Sequence, residues 1–192
     1  MSAAPYNSDD LPPPPFITER LILRPYTLED AETIHGALDS DAEVWRFDPC
    51  YERSLDERRE IILLYRALWA HFGFGPCGAW THDGGFVGQG GLNPYVYDQR
   101  DGTRTVEFEV MYKVARPFWR QGYATEIARF WVDYGFRHVR LPHLLTCPAR
   151  DNVASIGVQR ALGAMFEDDW LDDDVVIARL VNPGASPPMK EE

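Results

Sequence analysis

Residues 106–125 read VEFEVMYKVARPFWRQGYAT, and this stretch decides the fold. Apolar or aromatic side chains occupy every second position from 106 to 114, which is the period of a strand with one buried face. Residues 122–136 then place apolar side chains at helical spacing. The sequence therefore predicts a buried strand over residues 105–114 that leads through a short loop into a helix.

Further elements lie on both sides of this unit. Two capping-box patterns, Thr27 with Asp30 and Ser54 with Glu57, predict helices running to about Leu38 and His71. The second helix carries an apolar stripe at Ile61, Leu64, Leu68 and Phe72. Alternating or short apolar runs predict strands at 16–25, 78–81, 85–92, 143–148, 165–170 and 175–181. A short helix is predicted at 152–162. Together they indicate a mixed α/β sheet with helices on both faces.

The length of 192 residues suits one domain, which we place at residues 16–182. Residues 1–15 contain a run of four prolines and little that could pack, so we expect a flexible lead-in. Residues 183–192 are expected to form a flexible tail. No repeat or linker interrupts the domain.

Composition argues against several classes of protein. The net charge of −11 disfavours nucleic acid as a partner, and no apolar run approaches the roughly 20 residues of a membrane helix. The first ten residues lack the pattern of a secretory signal. Cys50, Cys77 and Cys147 have no CxxC spacing, so neither a disulfide framework nor a metal site is expected. These features favour a cytoplasmic protein without a membrane partner.

The loop between strand and helix has the features of an anion site. A helix start presents free backbone N–H groups, and Gly122 and Ala124 leave room for a ligand close to the backbone. Residues 113–160 carry a net charge of +5 within this acidic chain, which favours a small, multiply charged anion. A turn of this kind is also common for structural reasons alone.

Six segments of the chain carry a family resemblance: Trp119-Arg120-Gln121-Gly122-Tyr123-Ala124-Thr125, TERLILRP at 18–25, LEDA at 28–31, 88–92, 152–155 and 161–163. In sequence and order they resemble the GNAT acetyltransferase superfamily, in particular the ribosomal-protein N-terminal acetyltransferases. They span about residues 17–181. The chain departs from the family at Ala164, where phenylalanine is usual. The resemblance implies a mostly antiparallel sheet and acetyl-CoA as co-substrate, with no metal.

The resemblance also assigns roles to residues near the loop. Backbone groups of Tyr112, Lys113 and Val114 would bind the pantetheine arm, and Trp119 with residues 120–125 would hold the pyrophosphate. Arg116 or Arg120 would lie near the 3′-phosphate. Asn152 would contact the pantetheine and Ser155 the sulfur. Equally, Asn152 could be a plain helix N-cap, and Ser155 a residue of the first helical turn that faces solvent.

A base is needed because only a deprotonated amine attacks a thioester. Glu107 and Glu109 share one strand face, about 6–7 Å apart. The family pattern implies Glu109 as the base, with Glu107 second unless a bulge reverses their facing. An inverting glycosidase has a similar carboxylate spacing but explains neither the loop nor the 152–155 helix.

The resemblance implies direct transfer, with an oxyanion held by a backbone N–H near Tyr112. Ser155 is the candidate acid for the thiolate, and the alternation predicts that Tyr112 points into the core. Cys147 is expected to be a small buried hydrophobe and not a nucleophile.

The expected function is transfer of an acetyl group to a primary amine: a protein N-terminus, a lysine or a small molecule. A catalytically silent acyl-CoA-binding module and use of a longer acyl group are the alternatives. By family analogy the acceptor pocket would involve residues 39–54, 91–100 and the last hairpin. Six acidic residues at 167–174 form either a rim that attracts a cationic amine or a solvated turn. The acceptor and the oligomeric state, a homodimer included, stay open.

Overall fold

The computed structural model describes residues 7–48, 53–98, 104–167 and 175–185. The strands are β1 (Phe16–Ile17), β2 (Leu21–Arg24), β3 (Cys77–Thr81), β4 (Phe86–Asp98), β5 (Arg104–Val114), β6 (His143–Thr146), β7 (Met165–Glu167) and β8 (Ile177–Val181). The α-helices are α1 (Ala31–Ile34), α2 (Ala42–Trp45), α3 (Leu55–Phe72), α4 (Tyr123–Arg137) and α5 (Val153–Ala161).

Within the described residues, the strands form one eight-stranded sheet in the order β1-β2-β3-β4-β5-β6-β8-β7. Every neighbouring pair is antiparallel except β5 and β6, which run parallel. The mixed, mostly antiparallel sheet expected from the sequence is therefore confirmed.

Helices cover both faces of this sheet. On one face α4 packs Ile127 and Trp131 against β-strand residues such as Val110. On the other face, the helices that precede β3 bury Ile34 and Ile62. The alternation along β5 therefore sends neighbouring side chains into two different layers.

The first predicted strand is two strands. Residues 16–25 form an antiparallel hairpin in which Phe16 pairs with Leu23. The Thr18 N–H donates to the Leu21 carbonyl at 2.8 Å, and this closes the turn. The alternation of Leu21 and Leu23 correctly indicates β2. It gives no sign of the three-residue polar turn that separates β1 from β2.

Both predicted capping boxes are present, at Thr27 with Asp30 and at Ser54 with Glu57. The helix after Thr27 is less regular than expected, because a 3-10 turn and α1 are followed by a π-helical turn at His35–Asp39. The helix after Ser54 is α3, which ends at Gly73 in the left-handed conformation with φ of 75°.

The apolar stripe predicted for α3 is wrong at its centre. Leu64 is 53% exposed, and the fully buried positions are Arg58 and Ile62. The Arg58 guanidinium makes two hydrogen bonds to the Asp39 carboxylate, one of them 2.6 Å long from Nε, and both side chains are 0% exposed. This buried ion pair sets the rotation of α3, which apolar periodicity alone could not reveal.

Part of the expected lead-in packs on the domain. Leu11 contacts the core cluster on the α4 face. The Tyr134 hydroxyl lies 3.5 Å from the carbonyl oxygen of Pro12. Leu11 and Pro12 thus contact the folded domain.

We expect the Asp39–Arg58 pair to dominate the local stability. Asp39→Ala should lower the free energy of unfolding by about 3–5 kcal/mol, because it leaves a buried guanidinium without its partner. The matched control is Asp56→Ala, which removes an exposed pair with Arg59 and should cost at most about 1 kcal/mol. Urea titrations of both variants measure the difference, and equal costs would contradict the argument.

Candidate active site

The site lies where β5 and β6 stop pairing and separate. The parallel pairing of β5 with β6 is confined, among the described residues, to Glu109 and Leu145. The pairing of β5 with β4 continues from Val114 to Arg104 without a shift of register. Beyond Glu109, a cavity of about 290 Å³ lies between β5 and the segment that follows β6, and Tyr112, Cys147 and Ser155 are among its lining residues.

Glu109 and Asp48 are the carboxyl groups among the described residues that line this cavity, and Glu109 is the one on β5. Burial raises its pKa to about 7, and the negative charge of Asp48 adds to the shift. A hydrogen bond from the Cys147 backbone N–H acts in the opposite direction. A carboxylate with a pKa near neutrality is suited to accept a proton at physiological pH.

Glu107 lies outside the cavity lining. Its Oε2 is 2.7 Å from His143 Nε2 on β6. Burial would raise the pKa of Glu107, but the hydrogen bond and charge of His143, together with the charge of Arg179, hold it below its ordinary value. No bulge interrupts the β4–β5 register between residues 104 and 114. The structure therefore brings Glu109 and not Glu107 to the cavity.

Tyr112 departs from the sequence expectation. Its ring packs on the core, but its hydroxyl lies 2.8 Å from Ser155 Oγ at the cavity. Burial raises the pKa of Tyr112, and its hydrogen bonds with Ser155 and Gln159 act against that shift. The Gln159 amide also donates to Thr146 Oγ1 at 2.6 Å. Strand alternation gave the face of the Tyr112 ring correctly and missed where its long side chain ends.

Asn152 and Ser155 begin α5 as predicted. The Asn152 side chain accepts a hydrogen bond from the Ser155 N–H at 3.0 Å and so caps the helix. Both residues also line the cavity, so Ser155 does not simply face solvent. Asn152 is therefore an N-cap, and its contact with a ligand stays a prediction that its place in the cavity lining allows.

The loop before α4 has two residues with positive φ, Arg120 at 61° and Gly122 at 83°. Gly122 is the N-cap of α4 and provides no capping side chain to the first-turn N–H groups. A β-carbon at Gly122 would lie 3.5 Å from Arg20 Nη2, an ordinary contact. Backbone conformation, and not crowding within the chain, is therefore what requires glycine here.

Other residues fix the ends of this loop. Trp119 Nε1 donates to the Val114 carbonyl at 2.6 Å and ties the loop to the end of β5. Gln121 Nε2 donates to the Pro117 carbonyl at 2.9 Å. Arg116, one of the two candidates for a phosphate contact, pairs with Asp41 at 2.9 Å.

Arg20 is a residue that the sequence reasoning missed. Its Nη1 donates to the Gln121 carbonyl at 2.8 Å, and its guanidinium lies 4.2 Å from the centre of the Tyr123 ring. Its Nε also pairs with Glu126 at 2.7 Å, which offsets a negative charge in the first turn of α4. In the sequence, Arg20 is marked only by its place in the TERLILRP match. Its contacts with the loop could not be predicted, because the partners lie about a hundred residues further along the chain.

The cavity is also lined by residues of the predicted acceptor region, including Trp45, Phe47, Asp48 and Arg53; we call this part of it the acceptor end. Asn93 also lines it, but from β4, because residues 91–98 continue that strand and are not the loop expected. The acidic run extends into residues 168–174, which lie outside the described residues.

Lys113 sends its side chain to this end. Its Nζ lies 2.6 Å from Asp48 Oδ2 and 3.3 Å from the centre of the Trp45 ring. Burial lowers the pKa of Lys113; the charges of Arg53 and Arg58 add to that shift, and Asp48 opposes it. The sequence reasoning had used only the backbone of Lys113.

The part of the chain that the structure describes contains no cluster of three or more His, Cys, Asp or Glu residues able to hold a metal ion. None of its helices is long and apolar enough to cross a membrane.

Comparisons with known proteins agree with this geometry. The sequence of residues 20–165 matches the acetyltransferase (GNAT) domain family. The uncharacterized protein YkkB of Bacillus subtilis (strain 168) is 30% identical over 154 residues, which are 78% of this chain and 84% of that protein.

Solved structures share the fold. An acetyltransferase from Agrobacterium tumefaciens str. C58 superposes with a TM-score of 0.72 at 23% identity, covering 87% of this chain and 94% of that one. RimL, a ribosomal-protein alpha-N-acetyltransferase solved in complex with coenzyme A, gives 0.67 at 16% identity, covering 87% and 97%. These likenesses show the fold alone, whereas the family match covers most of the chain. The chain belongs to the GNAT acetyltransferase family.

Proposed function

We propose that the protein transfers an acetyl group from acetyl-CoA directly to a primary amine. One observation carries this proposal. The cavity between β5 and β6 is lined by Glu109, whose carboxyl has a pKa of about 7, and also by the hydrogen-bonded hydroxyl groups of Tyr112 and Ser155. A base for the amine and an acid for the leaving thiolate are the two proton-transfer groups that such a reaction uses.

The residues present fit an acyl-CoA. Gly122 leaves the first-turn N–H groups of α4 without a side-chain cap, so these groups and the helix dipole can bind a pyrophosphate. Past Glu109, the edge of β5 that faces the gap can bind the pantetheine through the backbone of Tyr112, Lys113 and Val114. When bound, acetyl-CoA supplies the acetyl group as a thioester.

Glu109 takes the proton that the ammonium must lose before its nitrogen can attack. A simple alkyl ammonium has a pKa near 10.4, so little free amine exists at pH 7 without such a base. The new C–N bond forms at the thioester carbonyl carbon, whose oxygen is held by a backbone N–H of β5 near Tyr112. Positioning of the two reactants contributes alongside this proton transfer.

Tyr112 Oη donates the proton that the departing thiolate accepts as the C–S bond breaks. Ser155 Oγ, 2.8 Å away, can orient the phenol or relay to it the second proton that the nitrogen loses after its attack. The raised pKa of Tyr112 keeps the phenol protonated at neutral pH, as a donor must be. A cysteine-like thiol has a pKa near 8.5, so the assistance it needs is modest.

Glu109→Gln tests the base. Turnover at pH 7 should fall by about 10²–10⁴-fold, because the amide keeps the shape and cannot take a proton. In the parent, the rate should rise with pH through about 7 as Glu109 ionises, and this limb should be absent in the variant. The measurement is a pH–rate profile of free-thiol release with a good acceptor. Glu107→Gln, which alters the pair with His143, is the control and should keep turnover close to the parent.

Tyr112→Phe tests the acid. We expect kcat to fall by about 10²-fold while the KM for acetyl-CoA changes little, since the ring and its packing remain. Tyr134→Phe removes a buried hydroxyl on α4 away from the cavity and serves as the control. Near-parental turnover of Tyr112→Phe together with a loss in Ser155→Ala would make Ser155 the donor.

Gly122→Val tests the phosphate contact. The strain of a positive φ should cost about 1–3 kcal/mol of stability and move the loop, so coenzyme A affinity should fall in isothermal titration. Gly84→Val is matched: φ is +92° in the β3–β4 turn, and a β-carbon there meets open space. It should show a similar stability loss with unchanged affinity. If both variants bind coenzyme A like the parent, the loop does not hold the pyrophosphate.

A further inference from the structure

A row of four polar side chains crosses the gap between β5 and β6. Tyr112 on β5 and Thr146 on β6 lie past the position where, among the described residues, the two strands pair. Between them α5 supplies Ser155 and Gln159. Gln159 Nε2 donates to Thr146 Oγ1 at 2.6 Å and to Ser155 Oγ at 3.3 Å. Ser155 Oγ lies 2.8 Å from the Tyr112 hydroxyl, so side-chain hydrogen bonds connect the two separated strands.

Gln159 is the member of this row that lies behind the cavity. It is 1% exposed and, unlike Tyr112, Thr146 and Ser155, it is not among the described residues that line the cavity. Its Oε1 is buried and has no hydrogen-bond partner among the described residues. A buried amide oxygen without a partner is destabilising. The two hydrogen bonds that the Gln159 nitrogen donates therefore explain this residue better than packing does.

These two donated bonds set the direction of the hydrogen bonds that follow. An amide nitrogen carries two hydrogens, and Gln159 uses one on Thr146 and one on Ser155. Ser155 Oγ accepts from Gln159, which leaves its own hydrogen for the nearby Tyr112 oxygen. Tyr112 then keeps its hydrogen for another partner. The Ser155 carbonyl, at 3.3 Å, is a distant acceptor for it, so a thiolate in the cavity can take its place.

We propose that Gln159 is a positioning residue for the departure of the thiolate: it orients Ser155, and through Ser155 it holds the Tyr112 hydroxyl with its hydrogen toward the cavity. This inference rests on the proposed acetyl transfer and adds a residue to it. Gln159 itself neither gains nor loses a proton, so the proton balance of the reaction is unchanged. Its effect on the rate must pass through Tyr112 and must vanish when the Tyr112 hydroxyl is removed.

A double-mutant cycle tests this path. Gln159→Met keeps the size of the side chain and removes both donated bonds, so kcat for acetyl transfer should fall about 3–10-fold, the worth of one neutral hydrogen bond. The KM for acetyl-CoA should be unchanged. In a Tyr112→Phe background the same substitution should have no further effect on kcat, whereas a purely structural glutamine would lower kcat by the same factor in both backgrounds. Free-thiol release at saturating acceptor measures kcat, and thermal unfolding should give a Tm within a few degrees of the parent.

Asn182→Leu is the matched control. Asn182 Nδ2 also donates two hydrogen bonds, to the carbonyls of Phe136 and Leu141 at 3.4 and 3.0 Å, and Asn182 does not line the cavity. This variant should keep the parental kcat, and any loss should appear in Tm. Gln159→Leu is a second apolar substitution with the same expected outcome as Gln159→Met.

The possible outcomes separate this inference from the proposed function. Absence of acetyl transfer to any amine would contradict the proposed function itself. Parental kcat in Gln159→Met, or an equal loss with and without the Tyr112 hydroxyl, would overturn only the role of Gln159. Unfolding of both Gln159 variants would also overturn it, because the amide would then serve stability. Parental kcat in Tyr112→Phe would overturn it together with the assignment of Tyr112 as the acid.

Discussion

The rest of the site depends on the parallel pairing of β5 with β6, which among the described residues occurs at one position. Their pairing at Glu109 and Leu145 joins the two halves of the sheet, and past this point the strands separate. The divergence is held open because β5 stays fully paired with β4 and because α4 packs beneath it. Backbone groups in a protein interior need hydrogen-bond partners, so a divided sheet is a natural place for an extended ligand arm.

The alternation of β5 divides the chemistry between two layers. Lys113 points toward α2 and the acceptor end, where it meets Trp45. Tyr112 points toward α5, where its hydroxyl meets Ser155. One strand thus sends neighbouring side chains to the proposed acceptor side and to the proposed thiolate side, and its open edge lies between them. A shift of register by one residue would exchange these two faces, which is why the long pairing with β4 matters for function as well as for stability.

Sequence reasoning succeeded where the controlling interactions are local. Both capping boxes, the strand–loop–helix unit and the cap at Asn152 depend on residues three or four positions apart, or on a regular period. It failed where distant residues decide. The burial of Arg58 depends on Asp39, 19 positions earlier, and the role of Arg20 on residues 101 and 106 positions later. The acceptor lining shows the same limit, since nothing in the run around Lys113 indicates a contact with Trp45.

Asp48 couples the two ends of the cavity. Its charge helps to raise the pKa of Glu109 and also stabilises the ammonium of Lys113. A ligand that brought a second negative charge into this cavity would raise the pKa of Glu109 further. That makes Glu109 a stronger base but leaves a smaller fraction of it ionised at pH 7, and the rate of proton removal depends on the product of the two. A starting pKa of about 7 leaves little room for such a rise, and the ammonium of Lys113, 2.6 Å from Asp48, offsets part of the negative charge that acts on Glu109.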